Sequence, residues 1–240
     1  MVTDGGAGVR ETCQVSLSAE RRLVVGRVAR CAPTLDGDGC VRVAVDGVDG
    51  YGSGKSVFAD ELASAVTALG RPVVRVSLDD FLNVRAVRHR QGRDSPQGFW
   101  EDSYNYPRFE RDVLVAFGPG GSRRYRPAAY DLRTDAVLDP EARTADPATV
   151  LVVDGLFLHR DELVTAWDLS VFLDVPFSVT AQRMADRNGS NLDPEHPSMR
   201  RYVEGQRIYF RACSPQRRAD IVVDNQDFDV PRIVRDNLLR

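Results

Sequence analysis

Residues 43–63, VAVDGVDGYGSGKSVFADELA, pass from an apolar alternation through a glycine-dense loop into a helical pattern. No other stretch constrains the fold as strongly. A loop that turns its backbone N–H groups inward around an anion needs glycine, both for the dihedrals and for close approach. The helix behind it adds free N–H groups and the positive end of its dipole. Gly54-Lys55-Ser56 stands at the join. In a phosphate loop the lysine reaches the β and γ phosphates and the hydroxyl holds magnesium. The spacing G-x-x-x-x-G-K-S fails here because position 49 is aspartate; Gly47 and Gly52 are correctly separated, but Ser53 follows. A carboxylate facing a triphosphate would repel it, so Asp49 is expected to point away or to accept a loop N–H. The plainer reading is a glycine-rich strand–helix turn with an incidental lysine. The strand and helix on either side favour the phosphate loop, with ATP held by Gly50, Tyr51, Gly52, Ser53, Gly54, Lys55, Ser56 and Val57.

Strands and helices alternate through the rest of the chain. Strands are expected at Val41–Asp46, Val73–Leu78, Val150–Val153, Leu169–Val175 and Asp220–Val223. Helices are expected at Ser18–Cys31, Lys55–Leu69, Phe109–Phe117, Arg160–Trp167, Phe177–Asn188, Ser198–Arg211 and Val230–Leu239. That alternation predicts a three-layer α/β/α fold around a parallel sheet of about five strands. Residues 1–17 are polar and glycine-rich and read as a flexible N-terminus; residues 18–240 read as one domain, opened by a leading helix over 18–32. Residues 118–147, rich in Gly, Pro, Arg and Asp, are too long for an idle connection and read as a substrate-side insertion.

Composition narrows the function classes. A net charge of −3 argues against bulk nucleic-acid binding, which favours a basic domain. No apolar run approaches the roughly 18 residues of a membrane span. The opening residues MVTDGGAGVRET lack an apolar signal core, and the four cysteines form no C-x-x-C pair, so a cytoplasmic protein with reduced thiols is expected. His89, His159 and His196 show no partner pattern that would make them catalytic.

Two strand ends carry candidate carboxylates. SLDDFLNVR closes the second strand with Asp79-Asp80-Phe81, and Asp79 is placed to accept a proton from an attacking hydroxyl. VLVVDGLF closes the third with Asp154, which together with Ser56 would hold magnesium. Either could instead be a plain capping or turn aspartate.

Taken together these residues resemble the uridine kinase family, within the wider group that includes phosphoribulokinase and bacterial pantothenate kinase. The resemblance runs from about Val41 to Asn225: the Gly-Lys-Ser loop, Asp79-Asp80-Phe81, RPAAYDLRTD with one residue more than the family's Pro-x-Tyr-Asp, Asp154-Gly155-Leu156, FLDVPFSVTAQRMADR and RRADIVVDN. It implies ATP and Mg2+ as cofactors and a small-molecule acceptor, foremost the 5′-hydroxyl of uridine or cytidine. It further implies Asp79 as general base, Lys55 with Arg183 and Arg187 around the transferring phosphate, and Tyr130 packed on the acceptor. Where the family carries a nucleoside-binding aspartate this chain has Asn105, and the histidine after Tyr130 is replaced by nearby Arg133. A homo-oligomer is compatible with the resemblance.

Those departures leave other small alcohols open, pantothenate-like or sugar-phosphate, as well as a nucleotide-binding switch without an acceptor. The basic stretch NVRAVRHRQGR reads first as a solvated face balanced by Asp94, Glu101 and Asp102, and second as a seat for an anionic acceptor. Trp100, Tyr104 and Tyr106 fit either a pocket lining or the core.

Overall fold

The computed structural model describes residues 17–34, 39–48 and 52–238. The stretch expected to be flexible lies, but for residue 17, outside the described residues, as do Asp49, Gly50 and Tyr51. Six strands form the central sheet: β1 (Val41–Gly47), β2 (Val73–Ser77), β3 (Val150–Asp154), β4 (Leu169–Asp174), β5 (Ile221–Asp224) and β6 (Arg232–Asp236). Their order is β6-β5-β4-β1-β3-β2. The first five run parallel and β6 is antiparallel to β5.

The apolar runs form strands because the sheet is covered on both faces. Val41, Val43, Val45, Val152 and Val171 pack with Phe58, Leu62 and Val66 of α2 (Lys55–Ala68) and Val25 and Val28 of α1 (Ala19–Cys31). Residues one step along, Ala44, Leu151, Val153 and Phe172, join Phe99, Phe109, Phe157 and Tyr209 on the other side. That second layer includes α3 (Pro96–Asp102) and α5 (Arg200–Cys213). Each fully buried aromatic or aliphatic side chain here stabilises the fold by about 1.5–3 kcal/mol. The remaining long helix, α4 (Phe177–Asn188), follows β4 and ends on Gly189, whose left-handed φ of 74° suits a residue without Cβ.

Two expectations fail. Val230–Leu239 is not a helix but contains β6: Ile233 and Val234 are β-branched, and β5 offers an open edge that local periodicity does not reveal. Arg160–Trp167 holds only a 3-10 turn at Val164–Ala166, because the indole N–H of Trp167 closes this loop on the Leu158 carbonyl at 2.8 Å. The sheet therefore adds a sixth, antiparallel strand to the five parallel ones, in keeping with the expected parallel sheet of about five. The expected helix at Phe109–Phe117 begins earlier, at Tyr106–Phe109, and runs through a π turn at Glu110–Leu114 to Val115–Phe117. Residues 118–147 carry two small antiparallel ribbons, Arg124–Tyr125 with Arg143–Thr144 and Tyr130–Asp131 with Ala136–Val137.

Candidate active site

β1 lies between β3 and β4, so the carboxyl ends of β1, β2 and β3 sit side by side. Crevices outside such strand ends, where strand order reverses, are where open α/β sheets bind ligands. The loop leaving β1 enters it. Gly54 caps α2 with φ 82°, and Gly52 lies so close to α4 that a Cβ would meet Thr180 main-chain and side-chain atoms at 2.6 Å. Ser53 is fully buried, and Lys55, buried at the first turn of α2, points its Nζ to Ser53 Oγ at 3.2 Å. Val57, further along the helix, is half exposed.

Ser56 donates its hydroxyl to Asp154 Oδ2 at 2.6 Å, so the two oxygens expected to hold magnesium already share one spot. A hard cation held by one or two protein oxygens plus phosphate fits such a pair. The second oxygen, Asp154 Oδ1, accepts from Arg75 Nη2 at 3.0 Å, and Arg75 also reaches Asp60 and the Val152 carbonyl. Asp79 sits on a 3-10 turn, Leu78–Phe81, directly beyond β2. Its Oδ1 accepts the Tyr104 hydroxyl at 2.8 Å. Burial raises the Asp79 carboxyl above its ordinary value; the Tyr104 hydrogen bond and the Lys55 charge oppose that, while Asp154 adds to it. Asp80 is exposed, yet partial desolvation at the turn and then the charges of Asp79 and Asp154 push it up to about 6; its carbonyl accepts from Ala129 N at 2.8 Å. That bond ties residues 118–147 to the strand end beside Asp79.

On the acceptor side, Tyr130 gives its hydroxyl to Asp135 at 2.7 Å and accepts from Arg88 at 2.8 Å, with the Arg88 guanidinium over its ring. Asn105 caps the helical run that starts at Tyr106, accepting Arg108 N at 3.1 Å. Arg133 is exposed on the turn between Tyr130 and Asp135, lining a separate open groove with Asp80 and Tyr130. Tyr104 packs its ring near Phe157 and Tyr106. Trp100 and Tyr106 clamp the Arg160 guanidinium at 4.4 and 4.2 Å.

No protein-family profile and no curated protein matches the sequence. Solved structures do. A possible uridine kinase from Bacillus stearothermophilus superposes with a TM-score of 0.65 at 20% identity, over 84% of this chain and 97% of that one. A provisionally assigned fructose transport system kinase from Silicibacter sp. TM1040 gives 0.64 at 21% identity, over 80% and 95%. A D-glycerate 3-kinase from Cryptococcus neoformans var. grubii gives 0.54 at 13% identity, over 90% and 95%. The chain has the P-loop kinase fold. Among its described residues no helix is long and apolar enough to cross a membrane.

Within this fold the loop after β1 is braced from far along the chain. Arg183 of α4 donates to the carbonyls of Gly52, Asn225 and Gln226 at 2.8–3.0 Å, while Arg187, one turn on, is exposed. Asn225, after β5, donates to Ser53 O at 2.7 Å and accepts from the fully buried Arg21 at 3.0 Å. Under the loop, Asp46 accepts from Gly47 N and the Tyr209 hydroxyl and meets His159 Nδ1 at 2.9 Å. Sequence reasoning missed Arg21, Arg75, Asn225 and the partner of His159. Each is brought to the site by tertiary packing, and the one local hint was an arginine on an otherwise apolar helix face.

Proposed function

We propose that this protein is an ATP- and Mg2+-dependent small-molecule kinase that transfers the γ-phosphate to an alcohol. The observation that carries the reading is the convergence of Lys55, Ser56, Asp154 and Asp79 at adjacent strand ends beside the N-terminus of α2. Lys55 would hold the β and γ phosphates, with the amides of the loop and of the first turn of α2 around them. Ser56 and Asp154 would bind magnesium, which neutralises developing charge on the phosphates. Asp79 would take the acceptor's proton as the hydroxyl oxygen bonds to γ-phosphorus and the bridging P–O bond to ADP breaks. Tyr104 would orient the Asp79 carboxylate. Arg183 would support the loop through its carbonyl bonds, and Arg187, exposed on the same helix, would approach the phosphates from solvent. Residues 118–147 would form the acceptor-side wall.

Uridine or cytidine as acceptor is a second reading, favoured by the family resemblance and by the similarity to a possible uridine kinase. Its weak point is Asn105, whose carbonyl oxygen serves the helix cap. The decisive experiment is ATP consumption, with magnesium, against a panel of alcohols, in the wild type and in Lys55→Ala. Loss of one preorganised charge stabiliser should cost at least about a hundredfold in turnover. Undiminished transfer by folded Lys55→Ala protein would refute the assignment.

A further inference from the structure

The cavity beside Asp79 widens outward into a chamber in which arginines outnumber carboxylates. Its inner part, about 110 Å3, is lined by Asp79, Tyr104, Leu82 and Leu156; its outer part, about 490 Å3, is lined by Arg85, Arg93, Asp94 and Ser198. The two are continuous, sharing Arg88, His89, Leu132, Arg201 and Tyr202. Arg90, which points elsewhere, is neutralised by Asp102 at 2.5 Å, as a solvated face would require. Among the described residues the guanidiniums of Arg85, Arg88, Arg93 and Arg201 form no direct ion pair; the nearest counter-charge is Asp135, which accepts the Arg85 backbone N–H at 2.8 Å and the Tyr130 hydroxyl at 2.7 Å and acts on Arg85 and Arg88 through space. The acidic groups lining the cavity are Asp94 on the outer part and Asp79 at the inner end.

Arg201 is the telling member. It is 7% exposed, and its bonds run to the backbone carbonyls of Arg93, Ser95 and Arg88 at 2.9–3.4 Å. Carbonyls fix a guanidinium without cancelling its charge; only Asp94 and Asp102 offset it, from beyond contact, and a buried charge without a direct partner is costly. Arg88 is held likewise, by the Asn83 carbonyl at Nε and the Tyr130 hydroxyl at Nη2, leaving Nη1 without a protein acceptor among the described residues. His89, between them, is driven towards its neutral form by burial and by the charges of Arg201, Arg88, Arg93 and Arg85. Four cations thus converge on one cavity.

We propose, building on the kinase reading, that the acceptor is an anionic alcohol. Its hydroxyl lies at Asp79, and its carboxylate or phosphate is gripped by Arg88 and Arg201, with Arg85 and Arg93 at the rim. The fork of a guanidinium matches either oxyanion in a bidentate way. A direct counter-charge for Arg201 arrives with the substrate, which makes the chamber selective against neutral alcohols of the same size.

The test uses matched sets: ribose, ribonate and ribose 5-phosphate; glycerol, glycerate and glycerol 3-phosphate; and uridine. Binding is measured by calorimetry with magnesium and a non-hydrolysable ATP analogue filling the phosphate loop, and turnover is measured with ATP. At least one anionic member should bind tenfold or more tighter than its neutral parent, and the carboxylate and phosphate arms tell which group is read. Arg201→Gln should remove most of that preference. Should that variant fold poorly, the double variant of the exposed rim, Arg85→Gln with Arg93→Gln, should reduce it by several-fold. Neutral parents or uridine binding as well as every anion would overturn the inference while leaving the kinase reading intact. Preferential anion binding without any ATP-dependent transfer would overturn the kinase reading and leave the anion site standing. No preference in either assay, with both arginine variants indistinguishable from wild type, overturns the inference outright.

Discussion

At the scale of single residues, the adjacent aspartates of Leu78–Phe81 have different neighbours. On a strand they would leave by opposite faces; here the chain has already turned into a 3-10 helix, and they diverge around its axis. Asp79 faces the cavity and Tyr104, whereas Asp80 is exposed. Asp79→Asn should therefore lower turnover by roughly 10²–10⁴-fold while nucleotide affinity holds, and Asp80→Asn should cost far less. Initial rates and separate nucleotide binding for both variants decide it; a reversed ranking would assign the base to Asp80. The pH profile follows from the same contacts. Asp79 must be ionised to act, and its proton affinity is raised by burial, so kcat/KM should fall on the acid side at a pH above the ordinary carboxylate range near 4. Tyr104 donates to the ionised form and so pulls that limb down. Tyr104→Phe should move it to higher pH, whereas a limb unmoved in that variant would show that the hydroxyl does not tune Asp79.

At the scale of elements, the loop after β1 depends on α4 and on the segment after β5 as much as on its own glycines. Gly52→Ala would push a methyl into backbone atoms of α4 at 2.6 Å and strain the carbonyl that Arg183 holds. Overpacking of this kind costs about 1–3 kcal/mol. The variant should melt lower than wild type and require more ATP for half-saturation; an unchanged melting point with unchanged ATP demand would mean that the loop can slide off α4. The same contrast between local and distant signals explains what could be read beforehand. β1 to β5 and α1, α2, α4 and α5 were legible because a strand buried on both faces is a continuous apolar run and an amphipathic helix repeats every 3.6 residues. β6 was not: Arg232, Ile233, Val234, Arg235 and Asp236 make too short a pattern to distinguish strand from helix, and the free edge of β5 decided it. The Arg160–Trp167 segment misled because Leu163 and Trp167 stand at helical spacing, yet they pack inward from a loop.

At the scale of the whole molecule, a chain with a net charge of −3 keeps an arginine-lined chamber beside a cluster of aspartates. Of the candidate site, the glycine-rich loop with Lys55 and Ser56, Asp79 and Asp154 stand out in the sequence because each is a short local pattern. Arg201, Asn225 and Arg21 do not, since they lie outside those short patterns and are joined to them only by folding. That joining has a thermodynamic consequence. The loop is held by α1 through Arg21, by α4 through Arg183 and by the β5 end through Asn225, so early and late segments of the chain meet at the nucleotide site. A ligand bound there reports on the native state as a whole, because unfolding any of these elements dismantles its site. A non-hydrolysable ATP analogue with magnesium, at a hundred times its dissociation constant, should stabilise the fold by about 2.7 kcal/mol. For a protein of this size that corresponds to a rise in melting temperature of about 5–10 °C. At the same analogue concentration Lys55→Ala should show a much smaller rise, since the missing ammonium weakens binding to the folded state alone. Thermal denaturation with and without the analogue measures both, and equal shifts in the two proteins would mean that the nucleotide binds somewhere other than the loop after β1.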